Sequence, residues 1–279
     1  MENKPLCKKF LILGSARTGS TFLMSMLSAH SHIKMYGELF NLDKLSRTLL
    51  VEVLANPVSY LSKRINRVQE GEIQVVGFKI FYDHLTEGYF DKIMDRDQAA
   101  STLSERLKEF DDFISQNYSR QDLLAKFQKT WEFILEDTSI KVIHLKRRNK
   151  LETLVSLKTA FLTDQWMLLK GKNHSETVFP LTHDECVSYF NKMDTYEQTY
   201  HSMFNQHPVL DVTYEALVEG KDEVTAEIFN FLELPYAPVS TIMKKQNVSP
   251  LSQTVENFEA LRESFKTSKW EQFFCLEKD

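Results

Sequence analysis

The stretch Gly14-Ser-Ala-Arg-Thr-Gly-Ser-Thr21 sets two glycines, one guanidinium and a series of hydroxyls side by side. An apolar run, residues 10–13, precedes it, and Phe22, Leu23, Met26 and Leu27 follow at helical spacing. A strand, a glycine-bounded loop and a helix in this order form an anion cradle, because backbone N–H groups and the helix N-terminus converge on a phosphate. Ser20 stands where a nucleotide triphosphatase carries lysine, and Arg17 is the only cation of the loop. Such a loop keeps the cradle and lacks the grip on the end of ATP. It predicts a different phosphate-like ligand.

Four further features could do chemistry. Residues 141–145 read as a strand running into Lys146, Arg147, Arg148, Asn149 and Lys150, ahead of a helix over 151–162. A basic run is ordinarily a solvated face, but a strand end before a helix N-terminus also suits a second phosphate. Glu38 follows a short strand over 33–36, where open α/β sheets place their ligands; a solvated loop acid is an equal reading. Lys79 lies near the end of a β-branched and aromatic strand over 73–81, and a cation there needs an anionic partner. His84 offers an imidazole just beyond, as a base or as a solvated loop residue.

These groups are positioned by five predicted strands, at 10–13, 33–36, 73–81, 141–145 and 209–213, separated by helical stretches. That alternation predicts an α/β fold with a parallel sheet. Helix is expected over most of 42–71, with Pro57 interrupting, and over 88–137. A capping box at Thr182 and Glu185 starts a further helix, and another covers 221–232. A loop over the site spans 166–179 with His174, a basic loop spans 244–250, and a last helix spans 255–265. At 279 residues, 42% hydrophobic and 26% charged, the chain is expected to form one domain with a helical insertion at about 85–138. Its net charge of −5 argues against nucleic acid. Cys7, Cys186 and Cys275 are too few and too scattered for a disulfide framework or zinc site, and suit a reducing compartment. With no apolar leader or membrane anchor before the first strand, a cytoplasmic location is expected.

Two anion sites in one chain need one ligand. At this point the sequence resembles the sulfotransferases that use 3′-phosphoadenosine 5′-phosphosulfate (PAPS). Ser15-Ala-Arg-Thr-Gly-Ser-Thr21 is similar to the family's 5′-phosphosulfate loop, with Arg17 in place of the lysine of other branches. Its 3′-phosphate motif, an arginine followed eight residues later by a serine on the next helix, is similar to Arg148 and Ser156. Weaker similarities run through Gly77-Phe-Lys-Ile-Phe-Tyr82, Val212-Thr-Tyr-Glu215 and Phe231-Leu-Glu-Leu-Pro235 to the tail, so the resemblance spans nearly the whole chain. It looks closest to bacterial carbohydrate sulfotransferases, those acting on trehalose, lipopolysaccharide or nodulation factors.

The resemblance implies a P-loop-type sheet, PAPS as donor, PAP as product, no metal, and a small-molecule or glycan hydroxyl as acceptor. It implies that Ser15, Ala16, Arg17, Thr18, Gly19, Ser20 and Thr21 hold the phosphosulfate and that Lys79 reaches the bridging oxygen. Arg148 and Ser156 would hold the 3′-phosphate, with Lys150 or Lys245 assisting. Glu38 matches the glutamate that is the implied base of the trehalose enzyme. The cytosolic animal enzymes place a histidine where this chain has Phe81, and His84 stays open as an alternative base. The competing readings are a small-molecule kinase with a degenerate loop and a non-catalytic nucleotide-binding protein of the same fold.

Overall fold

In the computed structural model, residues 5–89, 99–166, 177–239 and 250–275 are described. Strand β1 (Lys8–Gly14) is the middle of a five-stranded sheet with β2 (Ile33–Glu38), β3 (Val75–Phe81), β4 (Lys141–Lys146) and β5 (Val209–Thr213). The order is β2-β3-β1-β4-β5, and every pairing is parallel. The expected α/β architecture is therefore present. A parallel sheet is covered on both faces, so its inner strands are apolar on both. Leu11 and Leu13 accordingly enter one core while Phe10 and Ile12, alternating with them, enter the other.

Helix α1 (Ser20–Leu27) covers the second face, packing Leu23, Met26 and Leu27 with Phe10 and Ile12. The first face is covered by α2 (Arg47–Ala55), α3 (Pro57–Ile65), α4 (Ser101–Asn117) and α5 (Arg120–Glu136). Phe110 and Ile114 of α4 and Phe127 and Ile134 of α5 join the same core as Leu11 and Phe78. The helical stretch is interrupted at Pro57 as expected, with α2 ending at Ala55 and Pro57 starting α3. Asn56 caps it by accepting from the Ser59 N–H at 2.9 Å, and proline suits the first helical turn, where its missing N–H has no partner to lose.

The other half carries α6 (Lys150–Thr163), α7 (His183–Met203), α8 (Tyr214–Glu219) and α9 (Lys221–Phe231). The predicted capping box is formed at the start of α7. One helical expectation is corrected and one is trimmed. Residues 66–71 are turns and isolated bridges rather than helix, including Leu6 with Val68. The last helix is present but starts late, as α11 (Phe258–Ser264), with a short α10 (Leu251–Thr254) before it and Val255 drawn into a bridge with Phe179. His174 and Lys245 lie outside the described residues. No helix among the described residues is long and apolar enough to cross a membrane.

Candidate active site

Parallel strands end together, so Gly14, Glu38, Phe81, Lys146 and Thr213 all reach one edge of the sheet. Ligands of open α/β sheets bind at that edge. Gly14 is needed because a Cβ there would come within 2.5 Å of the Leu145 carbonyl oxygen on the neighbouring strand. The loop then turns through two left-handed residues, Arg17 at φ 68° and Gly19 at φ 82°. For a residue with a side chain, that conformation costs about 1–2 kcal/mol, so something must hold Arg17 there. Thr18 Oγ1 donates to the Ser15 carbonyl at 2.8 Å, closing the turn into α1.

The Arg17 guanidinium spans the site. Its Nε donates to Ser156 Oγ at 3.0 Å and its Nη1 to the Trp166 carbonyl at 2.7 Å. Burial, then the neighbouring Arg147, pulls its pKa down to about 10, so it remains a cation at neutral pH. The phosphate loop and the serine on α6, 139 positions apart in the chain, are thereby brought into direct contact.

Lys79 is almost wholly buried, at 1% exposed, and it has the anionic partner its position demands. Its Nζ lies 2.7 Å from Glu38 Oε1 and donates to Ser20 Oγ at 3.2 Å. A local irregularity of β2 makes this pairing. Met35 sits opposite Gly77, and a register shift then sets Glu38, rather than Gly37, opposite Lys79. Gly37, at φ 68°, takes up the turn. Such a bulge re-aims one side chain, and here it swings the carboxylate onto the buried ammonium. Asn41 Nδ2 holds the second carboxylate oxygen at 2.5 Å.

Burial raises the Glu38 pKa, but the Lys79 ammonium and the Asn41 amide outweigh it and keep the carboxyl below its ordinary range. On Lys79, burial pulls the amine down while Glu38 opposes. The two tendencies oppose each other across one contact. The proton stays on nitrogen, because an ammonium starts about six pH units more basic than a carboxylic acid.

His84 is buried beside them, and burial depresses its pKa. Its Nδ1 accepts the Phe81 backbone N–H at 3.3 Å. A neutral imidazole with Nδ1 so engaged carries its proton on Nε2 and has no free acceptor.

The basic run at the end of β4 does not act as one patch. Lys146 pairs with Asp211 at 2.6 Å, Arg147 with Glu152, and Lys150 with Asp194 and Glu197. Arg148 is exposed, its side chain makes no ion pair or hydrogen bond among the described residues, and its backbone N–H is tied to Glu215 at 3.0 Å. A free role for Lys150 at the 3′-phosphate is thus not what its contacts describe. His144, His201 and Asp211 bring three ligand atoms within 4.8 Å of one another. Lys146 already supplies the cation there, and the second His144 nitrogen is 2.6 Å from the Tyr82 hydroxyl.

Arg17, Ser20, Glu38, Lys79 and His84 all line one cavity of about 430 Å³. Ser15, Ala16 and Thr21 also line it, whereas Thr18 and Gly19 lie behind, and Arg148 and Ser156 lie outside its wall. Trp166, Tyr189 and Tyr196 form an aromatic side that the motifs did not announce, with the Lys44 ammonium 4.5 Å from the Trp166 ring centre. Tyr189 and Tyr196 share α7, two helical turns apart, but spacing could not have shown that they meet Trp166, which lies in another segment. The arrangement can bind an anion at the loop and take a proton at a carboxylate a few ångströms away, within one cavity.

A model of the sulfotransferase family matches residues 10–238 of this chain. Nodulation protein H of Rhizobium meliloti (strain 1021) is 33% identical over 162 residues, covering 55% of this chain and 65% of that protein. The chain thus spans just under two thirds of the length of that relative. Nodulation protein H of Rhizobium tropici is 25% identical over 293 residues, covering 99% of this chain and 97% of that protein. A solved sulfotransferase from Alicyclobacillus acidocaldarius covers 93% of this chain and 91% of its own at 12% identity, with a TM-score of 0.49, a likeness too loose to speak for the site.

Proposed function

This chain belongs to the sulfotransferase family, and from that premise we propose that it moves a sulfuryl group from PAPS to a carbohydrate hydroxyl, leaving PAP. The observation that carries the reading is the continuous contact from Ser20 through Lys79 to Glu38, which joins the phosphate loop to a carboxylate inside one cavity. The carbohydrate acceptor follows the resemblance to bacterial carbohydrate sulfotransferases and the two relatives named nodulation protein H.

The residues fit such a donor substrate. The loop offers backbone N–H groups, two left-handed residues and the Arg17 cation, with no lysine for a terminal phosphate. When bound, the donor supplies a sulfur whose bond to a phosphate oxygen breaks as the acceptor oxygen attacks. Arg17, Ser20 and the loop amides neutralise the phosphosulfate, and Lys79 supplies positive charge to the oxygen that leaves. Glu38 takes the proton of the acceptor hydroxyl. His84, with Nδ1 engaged, holds the wall of the site and does not act as the base. Arg148, a cation of the basic run whose side chain has no ion pair among the described residues, and Ser156, beside Arg17, hold the 3′-phosphate. No metal is needed in this scheme. The whole chain acts as one sulfotransferase domain, and its three free cysteines suit a reducing, cytoplasmic setting.

Thermal unfolding with and without ligand tests the donor. PAP at 100 times its Kd is expected to stabilise the protein by about 2.7 kcal/mol, a rise of a few degrees in Tm, without added metal. A rise with ATP and Mg²⁺ and none with PAP would instead make the chain a kinase-like protein. Incubation with PAPS and a panel of glycans, read by mass spectrometry for the gain of one SO₃, tests the transfer. At the second anion site, Arg148→Ala is expected to raise the KM for PAPS roughly 10-fold or more, the loss of one charge-assisted contact. The acceptor KM stays unchanged, and an unaltered PAPS KM would remove Arg148 from the donor site.

A further inference from the structure

Arg147 is the neighbour of the arginine that the motif singles out, and the fold puts it to a different use. It is 6% exposed and lies behind the phosphate loop rather than in the cavity. Its Nη1 donates to the Arg17 carbonyl at 3.3 Å, its Nη2 is paired with Glu152, and its guanidinium sits 4.5 Å from the ring centre of Tyr214. That same ring packs directly against the loop, since a Cβ on Gly19 would come within 2.5 Å of Tyr214 Cδ2. The arginine and the tyrosine therefore back the loop at Arg17 and Gly19, its two left-handed residues.

We infer that Arg147 is a positioning residue that, packed on Tyr214, holds the loop in its anion-receiving conformation without itself touching the ligand. The inference rests on the reading of this loop as the phosphosulfate cradle. Arg147 and Arg17 are neighbouring like charges, and Arg147 lowers the tendency of Arg17 to stay protonated unless an anion intervenes. Glu152 supplies that anion for Arg147, which leaves the Arg17 charge for the ligand. The contact to the Arg17 carbonyl also fixes the peptide that a flip of the left-handed turn would rotate. Only a planar fork can lie on an aromatic ring, engage a carboxylate and reach a carbonyl together, so lysine cannot replace it.

The test is PAP binding by calorimetry, with steady-state kinetics, on Arg147→Lys, Arg147→Met and Tyr214→Leu. Both arginine variants are expected to bind PAP at least about 10-fold more weakly, a conversion of roughly 1.4 kcal/mol. They should raise the KM for PAPS alike and leave the acceptor KM where it was, a split that general loss of stability does not produce. Tyr214→Leu removes the platform while keeping every charge, and it should show the same split even if Arg147→Met fails to fold. Wild-type affinity in Arg147→Lys would mean that charge alone suffices and would overturn the inference. So would an equal rise in both KM values. Inorganic pyrophosphate separates this idea from the donor assignment. A wild type that binds pyrophosphate and ignores PAP sinks the donor reading alone, whereas variants that match wild type with both ligands sink the positioning role.

Discussion

Glu38→Gln is expected to lower kcat by roughly 10²- to 10⁴-fold while changing PAP affinity by no more than about two-fold. Glutamine keeps the length of the side chain and can still bond Asn41, but it cannot take a proton from the acceptor hydroxyl. The donor side is spared because Ser20 and Arg17, not Glu38, form the loop's contacts. His84→Ala is the paired control. With its Nδ1 occupied by the Phe81 N–H, His84 has no acceptor to offer, and its removal is expected to cost packing more than turnover. Near-normal turnover in Glu38→Gln together with loss of turnover in His84→Ala would reverse the assignment. Because the carboxyl sits below its ordinary range, the acid limb of kcat/KM in the wild type should lie below the usual glutamate value, with activity falling only under clearly acidic conditions.

Lys79→Met tests the other half of the pair and should show two effects at once. Loss of the cation nearest Ser20 is expected to lower kcat by roughly 10²- to 10³-fold, the scale of removing one charge-stabilising donor from a closed site. The acid limb should also move. In the wild type, burial raises the Glu38 pKa and Lys79 pulls it down. With Lys79 gone, burial is opposed only by the smaller contributions of His84 and Asn41, so the folded-state pKa rises and the carboxylate is lost at a higher pH. The limb of kcat/KM therefore shifts upward, toward neutrality, in the variant. The stability balance changes in the same sense. A depressed carboxyl contributes stability above its unfolded pKa and loses it as pH falls through the lower folded value, and this contribution disappears with its partner. A pH profile with an unmoved acid limb would mean that Glu38 and Lys79 do not titrate as neighbours in the working enzyme.

These effects depend on features of unequal legibility in the chain. The five strands were readable because a parallel sheet buried on both faces demands apolar runs, and residues 209–213 match β5 to the residue. The capping box of α7 was readable because its bonds are local. Residues 66–71 were misjudged as helix, and the last helix begins at Phe258 rather than Val255, because bridges of Val68 with Leu6 and of Val255 with Phe179 settle those backbones. Periodicity carries no information about such partners.

By itself, the amino-acid sequence determined that an anion cradle lacks the triphosphatase lysine, that a second cationic motif follows, and that a buried Lys79 must have an anionic partner. Each of these is a matter of local spacing or of the cost of burying charge. Only the tertiary structure decided which carboxylate answers Lys79, because a one-residue shift in β2 is invisible in composition and selects Glu38 over its neighbour. It likewise divided the four cations at the end of β4 and just beyond it, since carboxylates from α6, α7 and β5 reach three of them and leave Arg148 without an ion pair among the described residues. It also set Arg147 behind the loop, where its work depends on an aromatic ring 67 residues further along the chain.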